Sequence, residues 1–281
     1  MERVCIVTGA TSGIGRSTAE QLALSGFEVV LLARSVEKLS QAEAEIRASC
    51  GHDRVWSIRA DLSRLAEVRA AAATFLATGK PLHVLLNNAA VVNGARRETE
   101  DGFEETWAVN HLAHVLLTSL LLPCLRESAP SRVVVVSSEA YAGMKGLNWD
   151  DIGFASGYQS FRAYAQSKLA NLLFAAELSE RLSGSGVTVN ALHPGMVRTG
   201  LGQQDASWWM RAMLSVIRLF MSAPESGAET SVYLATSPEV AETTGGYFIR
   251  CRPAQLRAQA TDREASQRLW ALSAEQLGLD A

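Results

Sequence analysis

The sequence predicts a single α/β domain, built as a doubly wound parallel sheet of about seven strands with helices on both faces. Three observations predict it. Short apolar runs recur along the chain and alternate with segments of helical period. The runs are apolar at consecutive positions, as strands buried on both faces must be, whereas a half-solvated antiparallel sheet alternates. Polar, glycine or proline residues stop the runs at their carboxyl ends, where open α/β sheets bind ligands.

Val4, Cys5, Ile6 and Val7 form the first run, which breaks at Thr8-Gly9 and leads into glycines at 9, 13 and 15. From Arg16 to Leu24 the pattern turns helical, with Ala19, Leu22 and Ala23 on one face. Strand, glycine turn and helix N-terminus together make an anion site. The free N–H groups of the first helical turn and the positive dipole end point at the turn, and glycine lets a pyrophosphate approach the backbone. A second strand at 28–33 ends at Arg34-Ser35, and a polar helix follows over 36–50. The third strand, 55–59, closes on Ala60-Asp61-Leu62-Ser63 before an alanine-rich helix reaching Thr78. The fourth, 82–86, ends in Asn87-Asn88-Ala89-Ala90, and a long helical region covers 102–127. The fifth, 132–136, is almost pure valine and stops at Ser137-Ser138. A helix over 164–183, a strand over 187–192 broken by His193-Pro194-Gly195, a last strand over 245–251 and a helical tail around Leu269 and Leu272 complete the pattern. No internal repeat or low-complexity linker divides residues 1–281, so one domain is expected.

An apolar content of 48% with 20% charged residues describes a domain with a large core. A net charge of −3 gives no electrostatic footprint for nucleic acid. Cys5, Cys50, Cys124 and Cys251 are scattered, without a C-x-x-C pair, and read as reduced thiols of a cytoplasmic compartment. The five histidines have no i,i+4 or H-x-H spacing, so no metal is expected. The first strand starts at residue 3 or 4, which leaves no room for a leader. The longest apolar run, 115–122, falls short of the roughly 20 residues that span a bilayer, so no transmembrane segment is expected.

The ordered set T-G-x-x-x-G-x-G at 8–15, N-N-A at 87–89, Asn110, Ser138, Tyr164-x-x-x-Lys168 and Pro194-Gly195 resembles the short-chain dehydrogenase/reductase family over nearly the whole chain. V-N-H-L at 109–112, S-K-L-A-N at 167–171, G-Y-F at 246–248 and R-L-W at 268–270 are similar to its retinol-dehydrogenase-like branch. Two departures stand out: Ala90 replaces a usual glycine, and the interval from Ser138 to Tyr164 is longer than in most members, as in that branch. The resemblance implies a Rossmann fold and hydride transfer between NADP(H) and an alcohol or carbonyl carbon. It also implies a cofactor site on Gly9, Thr11, Ser12, Gly13, Ile14, Gly15, Asp61, Leu62, Asn88, Ala89, Pro194, Gly195, Val197 and Thr199, completed by Tyr164 and Lys168.

Tyr164 and Lys168 lie one helical turn apart on one face. A phenol titrates near pH ~10, and a neighbouring ammonium with an oxidised nicotinamide favours the phenolate. Tyr164 is then the proton donor in carbonyl reduction and the base in alcohol oxidation. Ser138 hydrogen-bonds the substrate oxygen where charge develops. By resemblance Lys168 also binds the nicotinamide ribose, and Asn110 holds a water that connects Lys168 to solvent. Taken alone, Y-x-x-x-K is an ordinary amphipathic pair; the accompanying motifs decide for catalysis. An NADP-binding regulatory or scaffold protein on the same fold is the alternative, and it has no need of Ser138, Tyr164 and Lys168.

At the end of the second strand a carboxylate would bind the ribose 2′-OH of NAD, whereas arginine accommodates the 2′-phosphate of NADP. Arg34 stands there, so NADP(H) is expected. Residues 200–224 carry Trp208, Trp209 and Met213 at helical spacing after Gly200 and Gly202, ahead of a capping box at Ser222 and Glu225. They are expected to form a lid that, with Ser138 and Tyr164, lines a pocket for a lipophilic alcohol, aldehyde or ketone. Shallow peripheral membrane contact by the same amphipathic segment is the rival reading. The helix at 111–127 is apolar nearly all round, which predicts a homodimer or homotetramer built on it and on 164–183.

Overall fold

The computed structural model describes residues 3–195 and 224–280. Strands β1 (Val4–Thr8), β2 (Glu28–Ala33), β3 (Val55–Arg59), β4 (Val84–Asn87), β5 (Ser131–Val136), β6 (Val187–His193), β7 (Tyr247–Ile249) and β8 (Arg252–Pro253) form one sheet in the order β3-β2-β1-β4-β5-β6-β7-β8. All pairings are parallel except β7 with β8. The order reverses between β1 and β4, and that switch point opens the crevice in which such sheets bind ligands.

Alternation along β1 explains its unbroken apolar run. Val4 and Ile6 enter one core while Cys5 and Val7 enter the other, so both faces are dry. Helices α1 (Gly13–Leu24) and α2 (Val36–Cys50) cover the second of these cores, joined by Leu234 and Ala235 of α6 (Pro224–Thr236). The first core lies under α3 (Leu65–Leu76), α4 (Glu105–Glu127), α5 (Ser160–Arg181) and α7 (Arg263–Leu277). The ends of α2 and α7 are chemically marked. Ser35 and Asp262 accept hydrogen bonds from Lys38 N and Ala265 N, and Gly51 and Gly278 close the helices in the left-handed region at φ 72° and 61°.

Two expectations change in the structure. The last strand shrinks to Tyr247–Ile249, because Arg250 and Cys251 take positive φ (50° and 59°) and turn the chain back into β8. The helical region 102–127 is not uniform: Ala108–Leu112 form a π turn between α-helical segments, an insertion that apolar periodicity cannot reveal. Among the described residues α4 is long and apolar enough to cross a membrane, yet 72% of its most apolar window is buried within the domain, as a core helix requires. Within the chain α4 packs on the sheet and on α3, and α5 packs on the sheet and on α7.

Candidate active site

The carboxyl ends of β1 to β6 bring the predicted residues to one edge of the sheet. After β1 the chain turns through Gly9 (φ 67°) and Gly13 (φ 53°), a backbone path that side chains oppose. Ser12 stands at the N-cap of α1 but makes no side-chain cap, and the first turn holds no acidic residue. Its N–H groups are left for an external anion, which fits the pyrophosphate that the resemblance implies. Gly15 packs where a Cβ would collide with the Gly9 carbonyl and the Asn88 side chain, and a Cβ on Gly9 would lie 3.0 Å from the Ala89 Cα. Thr11, Ser12 and Ile14 complete this turn.

Asn88 and Ala89 hold the turn in place. Asn88 Nδ2 donates to the Thr8 carbonyl (2.8 Å), while the N–H groups of Asn88 and Ala89 donate to Thr8 Oγ1 (2.8 and 3.0 Å). Asn87 points elsewhere, donating to Thr118 of α4. At the end of β2 the exposed Arg34 has no ion-pair partner among the described residues, whereas Arg59 pairs with Glu67 and Arg16 with Glu20 and Glu45. Asp61 spends one carboxylate oxygen on Ser63 N and Oγ, and the Leu62 side chain is buried in the core. Pro194 and Gly195 follow β6, with Gly195 at φ 86°.

The chemistry gathers where β5 ends. Ser137 Oγ donates to the Lys168 carbonyl (2.8 Å) and so anchors α5 to the strand. Ser138 caps the 3₁₀ turn Glu139–Gly143, its hydroxyl accepting from Ala140 N (3.2 Å), and it faces the Tyr164 phenol closely enough to lower that group's pKa. Lys168 is 1% exposed; its Nζ donates to the Val136 carbonyl (3.0 Å) and lies 5.6 Å from the Tyr164 ring centroid. Burial lowers its pKa from 10.5 to about 7. Burial also raises Tyr164 above the ordinary phenol value, with Ser138 opposing. Without a bound nicotinamide, burial is the dominant influence on both groups; the positive charge of an oxidised nicotinamide would act on Tyr164 in addition.

Asn110 sits in the π turn, which aims it inward. Its Oδ1 accepts from Val91 N (2.7 Å), and its Nδ2 donates to Val91 O and Ser167 Oγ (both 3.0 Å). Both amide hydrogens are thereby committed, so the side chain acts first as a brace between the segment after β4 and helix α5. Sequence reasoning missed the residue behind it. His114 is buried and neutral, its pKa lowered to about 3 by desolvation. Its Nδ1 contacts the Asn110 carbonyl (3.1 Å), and its Nε2 contacts Thr8 Oγ1 (3.2 Å). The signal was its place four residues after Asn110, on one helix face.

Val197, Thr199, Trp208, Trp209, Met213 and Ser222 of the capping box lie outside the described residues, as does the expected lid at 200–224 up to residue 223; Pro224 and Glu225 fall in the first turn of α6. Among the described residues no group of three or more His, Cys, Asp or Glu is placed to hold a metal ion.

Comparison with known proteins agrees with this geometry. A short chain dehydrogenase family model matches residues 3–209. Over 292 residues the chain is 41% identical to retinol dehydrogenase 14 of Homo sapiens, covering 99% of this chain and 87% of that protein. An uncharacterized protein from Mycobacterium Paratuberculosis has a similar crystal structure, with a TM-score of 0.79 and 32% identity over 99% of this chain and 94% of that one. The RhlG/NADP active-site complex of Pseudomonas aeruginosa is also similar, with a TM-score of 0.69 and 28% identity over 88% of this chain and 93% of that one. A glycine turn on an uncapped helix, a buried lysine one turn from a tyrosine, and likeness along the full chain converge: the protein belongs to the short-chain dehydrogenase/reductase family, in its retinol-dehydrogenase-like branch.

Proposed function

We propose that the protein is an NADP(H)-dependent oxidoreductase that interconverts a lipophilic alcohol and its aldehyde or ketone, with Tyr164 as acid and base. Family membership establishes the coarser part, alcohol and carbonyl oxidoreduction by hydride transfer. The single observation that carries the finer reading is the convergence of the Ser138 hydroxyl, the Tyr164 phenol and the Lys168 amine at the end of β5. When bound, the nicotinamide supplies or accepts the hydride. The protein handles the proton and the charge on oxygen. A neutral Tyr164 donates its O–H proton to the carbonyl oxygen as that oxygen becomes an alkoxide. Ser138 holds the same oxygen by hydrogen bonding, so the developing charge meets a fixed dipole instead of reorganising water. The phenolate left behind favours protonation of Lys168, so the amine near neutrality serves as the charge reservoir of the pair. In alcohol oxidation the same groups run in reverse.

The cofactor preference rests on Arg34, an exposed guanidinium at the end of β2 with no carboxylate competing for it among the described residues. The lipophilic substrate class rests on the Trp and Met content of residues 200–224 and on likeness to retinol dehydrogenases. The same reading places the enzyme in the cytoplasm, with peripheral membrane contact through that segment as its variant.

Three outcomes test this function. Tyr164→Phe keeps the ring and removes the hydroxyl, so kcat for a long-chain aldehyde is expected to fall at least ~100-fold while NADPH binding by fluorescence titration stays nearly unchanged. Retention of kcat would remove Tyr164 from the chemistry. Arg34→Ala is expected to erase about 10- to 100-fold of the NADPH over NADH preference in kcat/KM, the worth of a charge-assisted phosphate contact. An unaltered ratio would place the discrimination elsewhere. The third outcome is thermodynamic. Folding lowers the Lys168 pKa from 10.5 to about 7, so between these pH values the unfolded chain binds a proton there that the folded chain does not. Stability of the cofactor-free protein therefore gains from Lys168 as pH rises through this window. Urea midpoints at pH 7 and pH 9 are expected to show a smaller rise, or a steeper fall, in Lys168→Met than in the parent; equal changes would contradict the assigned burial.

A further inference from the structure

We propose that the tail helix α7 positions Tyr164 from behind, along the hydrogen-bond path Ser273–His111–Asn110–Ser167–Tyr164, in which Ser273, His111 and Ser167 are positioning residues. The inference rests on Tyr164 being the acid and base.

The path starts where α4 departs from regular winding. Ala113 N donates to the Ala108 carbonyl, five residues back, so Ala108–Leu112 hold one residue more than an α-turn. An α-helix rotates about 100° per residue, so losing the extra residue would swing Asn110 by about that angle. Its amide would then leave Val91 and Ser167. His111, the next residue, holds the turn from the other side. Its ring is buried, 4.6 Å from the Trp107 ring centroid and 6.2 Å from that of Phe174 on α5. Nε2 shares a hydrogen bond with Ser273 Oγ of α7 (2.9 Å). Burial lowers the imidazole pKa to about 3, so the ring stays neutral and the bond does not titrate near pH 7. Asn171 of α5 faces the ring and opposes that shift, yet neither Nδ1 nor the Asn171 amide completes a hydrogen bond among the described residues. Ser273 is thus the partner that orients the ring.

From Asn110 the path enters α5. Asn110 Nδ2 donates to Ser167 Oγ (3.0 Å), and Ser167 Oγ donates its one proton to the Tyr164 carbonyl (2.7 Å). Docking of α7 does not depend on Ser273. Leu269, Ala274 and Leu277 are buried along the same stripe, and Trp270 stacks on Phe174 with ring centroids 6.0 Å apart. Arg69 of α3 donates to the Leu277 carbonyl at the end of the helix (2.6 Å). A hydroxyl inside that stripe is accounted for by the imidazole it meets.

Ser273→Ala removes the hydroxyl and little volume, whereas Arg69→Ala loosens the same helix away from the path. The full chain is assayed with NADPH and a long-chain aldehyde, with thermal unfolding and amide exchange of residues 108–113 read alongside. Ser273→Ala is expected to lower kcat about 5- to 10-fold, the worth of one net hydrogen bond, with KM nearly unchanged and faster exchange at Ala113. Arg69→Ala is expected to lower the unfolding temperature and keep kcat close to the parent value. Ser167→Ala cuts the path further on, so the double variant with Ser273→Ala is expected to lose no more kcat than the larger single loss. Single losses that multiply, an unchanged kcat in Ser273→Ala, or equal kcat losses in Ser273→Ala and Arg69→Ala would overturn the path. Tyr164→Phe in the same assay separates the path from its premise. Collapse of kcat there with Ser273→Ala unaltered overturns the path alone; kcat retained there overturns the acid–base reading and the path with it.

Discussion

One threonine hydroxyl holds the two halves of the site in register. Thr8 ends β1 at the point where the strand order reverses, and its Oγ1 accepts the N–H groups of Asn88 and Ala89 from the end of β4. The same hydroxyl donates to the Leu86 carbonyl (3.1 Å) and lies 3.2 Å from His114 Nε2. A carbonyl can only accept, so His114 Nδ1 is the nitrogen that carries the proton and donates to Asn110 O; the unprotonated Nε2 then shares the single Thr8 hydroxyl proton with the Leu86 carbonyl. Burial keeps this imidazole neutral, so the arrangement does not titrate near physiological pH. Through these bonds the glycine turn, the proposed cofactor site, is tied to the π turn, which carries Asn110. Displacing Thr8 would shift both, because no second polar side chain in this part of the described structure bridges β1, β4 and α4.

Burial does opposite things to the two halves. On the cofactor side it is incomplete: the first turn of α1 keeps uncapped N–H groups, and Arg34 stands in solvent, ready for anionic ligand atoms. On the chemical side it is nearly total, with the Val136 carbonyl the one hydrogen-bond acceptor of Lys168 Nζ among the described residues. An amine so placed costs free energy when charged, which stores a preference for whichever state places a negative charge beside it. The phenolate of Tyr164 is that charge. A site that disfavours both ions singly and accepts them together suits a proton moving to and from a substrate oxygen.

Much of this was legible in the sequence because backbone chemistry leaves marks. The glycine turn, the valine strand ending in Ser137-Ser138 and the one-turn spacing of Tyr164 and Lys168 each follow from local geometry, and local geometry is written in adjacent residues. What escaped depends on tertiary placement. The π turn hides in a helix apolar on every side, so inserting one residue changes no visible period. The tail helix is visible around Leu269, but its docking on Phe174 and His111 is not. The rise in the Tyr164 pKa escaped for the same reason: a lysine four residues away is plain in the sequence, whereas the depth of the pocket around both is not. His114 is an intermediate case, since its spacing from Asn110 was readable but its contact with Thr8 needed the fold.

The central claim is that the edge formed by β1, β5 and α5 would hold a nicotinamide whose C4 supplies hydride to a carbonyl carbon, while Tyr164 supplies the proton. Isotope transfer tests it most directly. The full-length protein is incubated with a lipophilic aldehyde and NADPH carrying deuterium at the transferable position of nicotinamide C4, and the alcohol product is analysed by mass spectrometry. The account predicts one deuterium on the carbinol carbon at a yield matching the NADPH consumed, and none there when unlabelled NADPH is used in deuterated water. Alcohol formed without the label, or carbon-bound deuterium drawn from solvent, would contradict it.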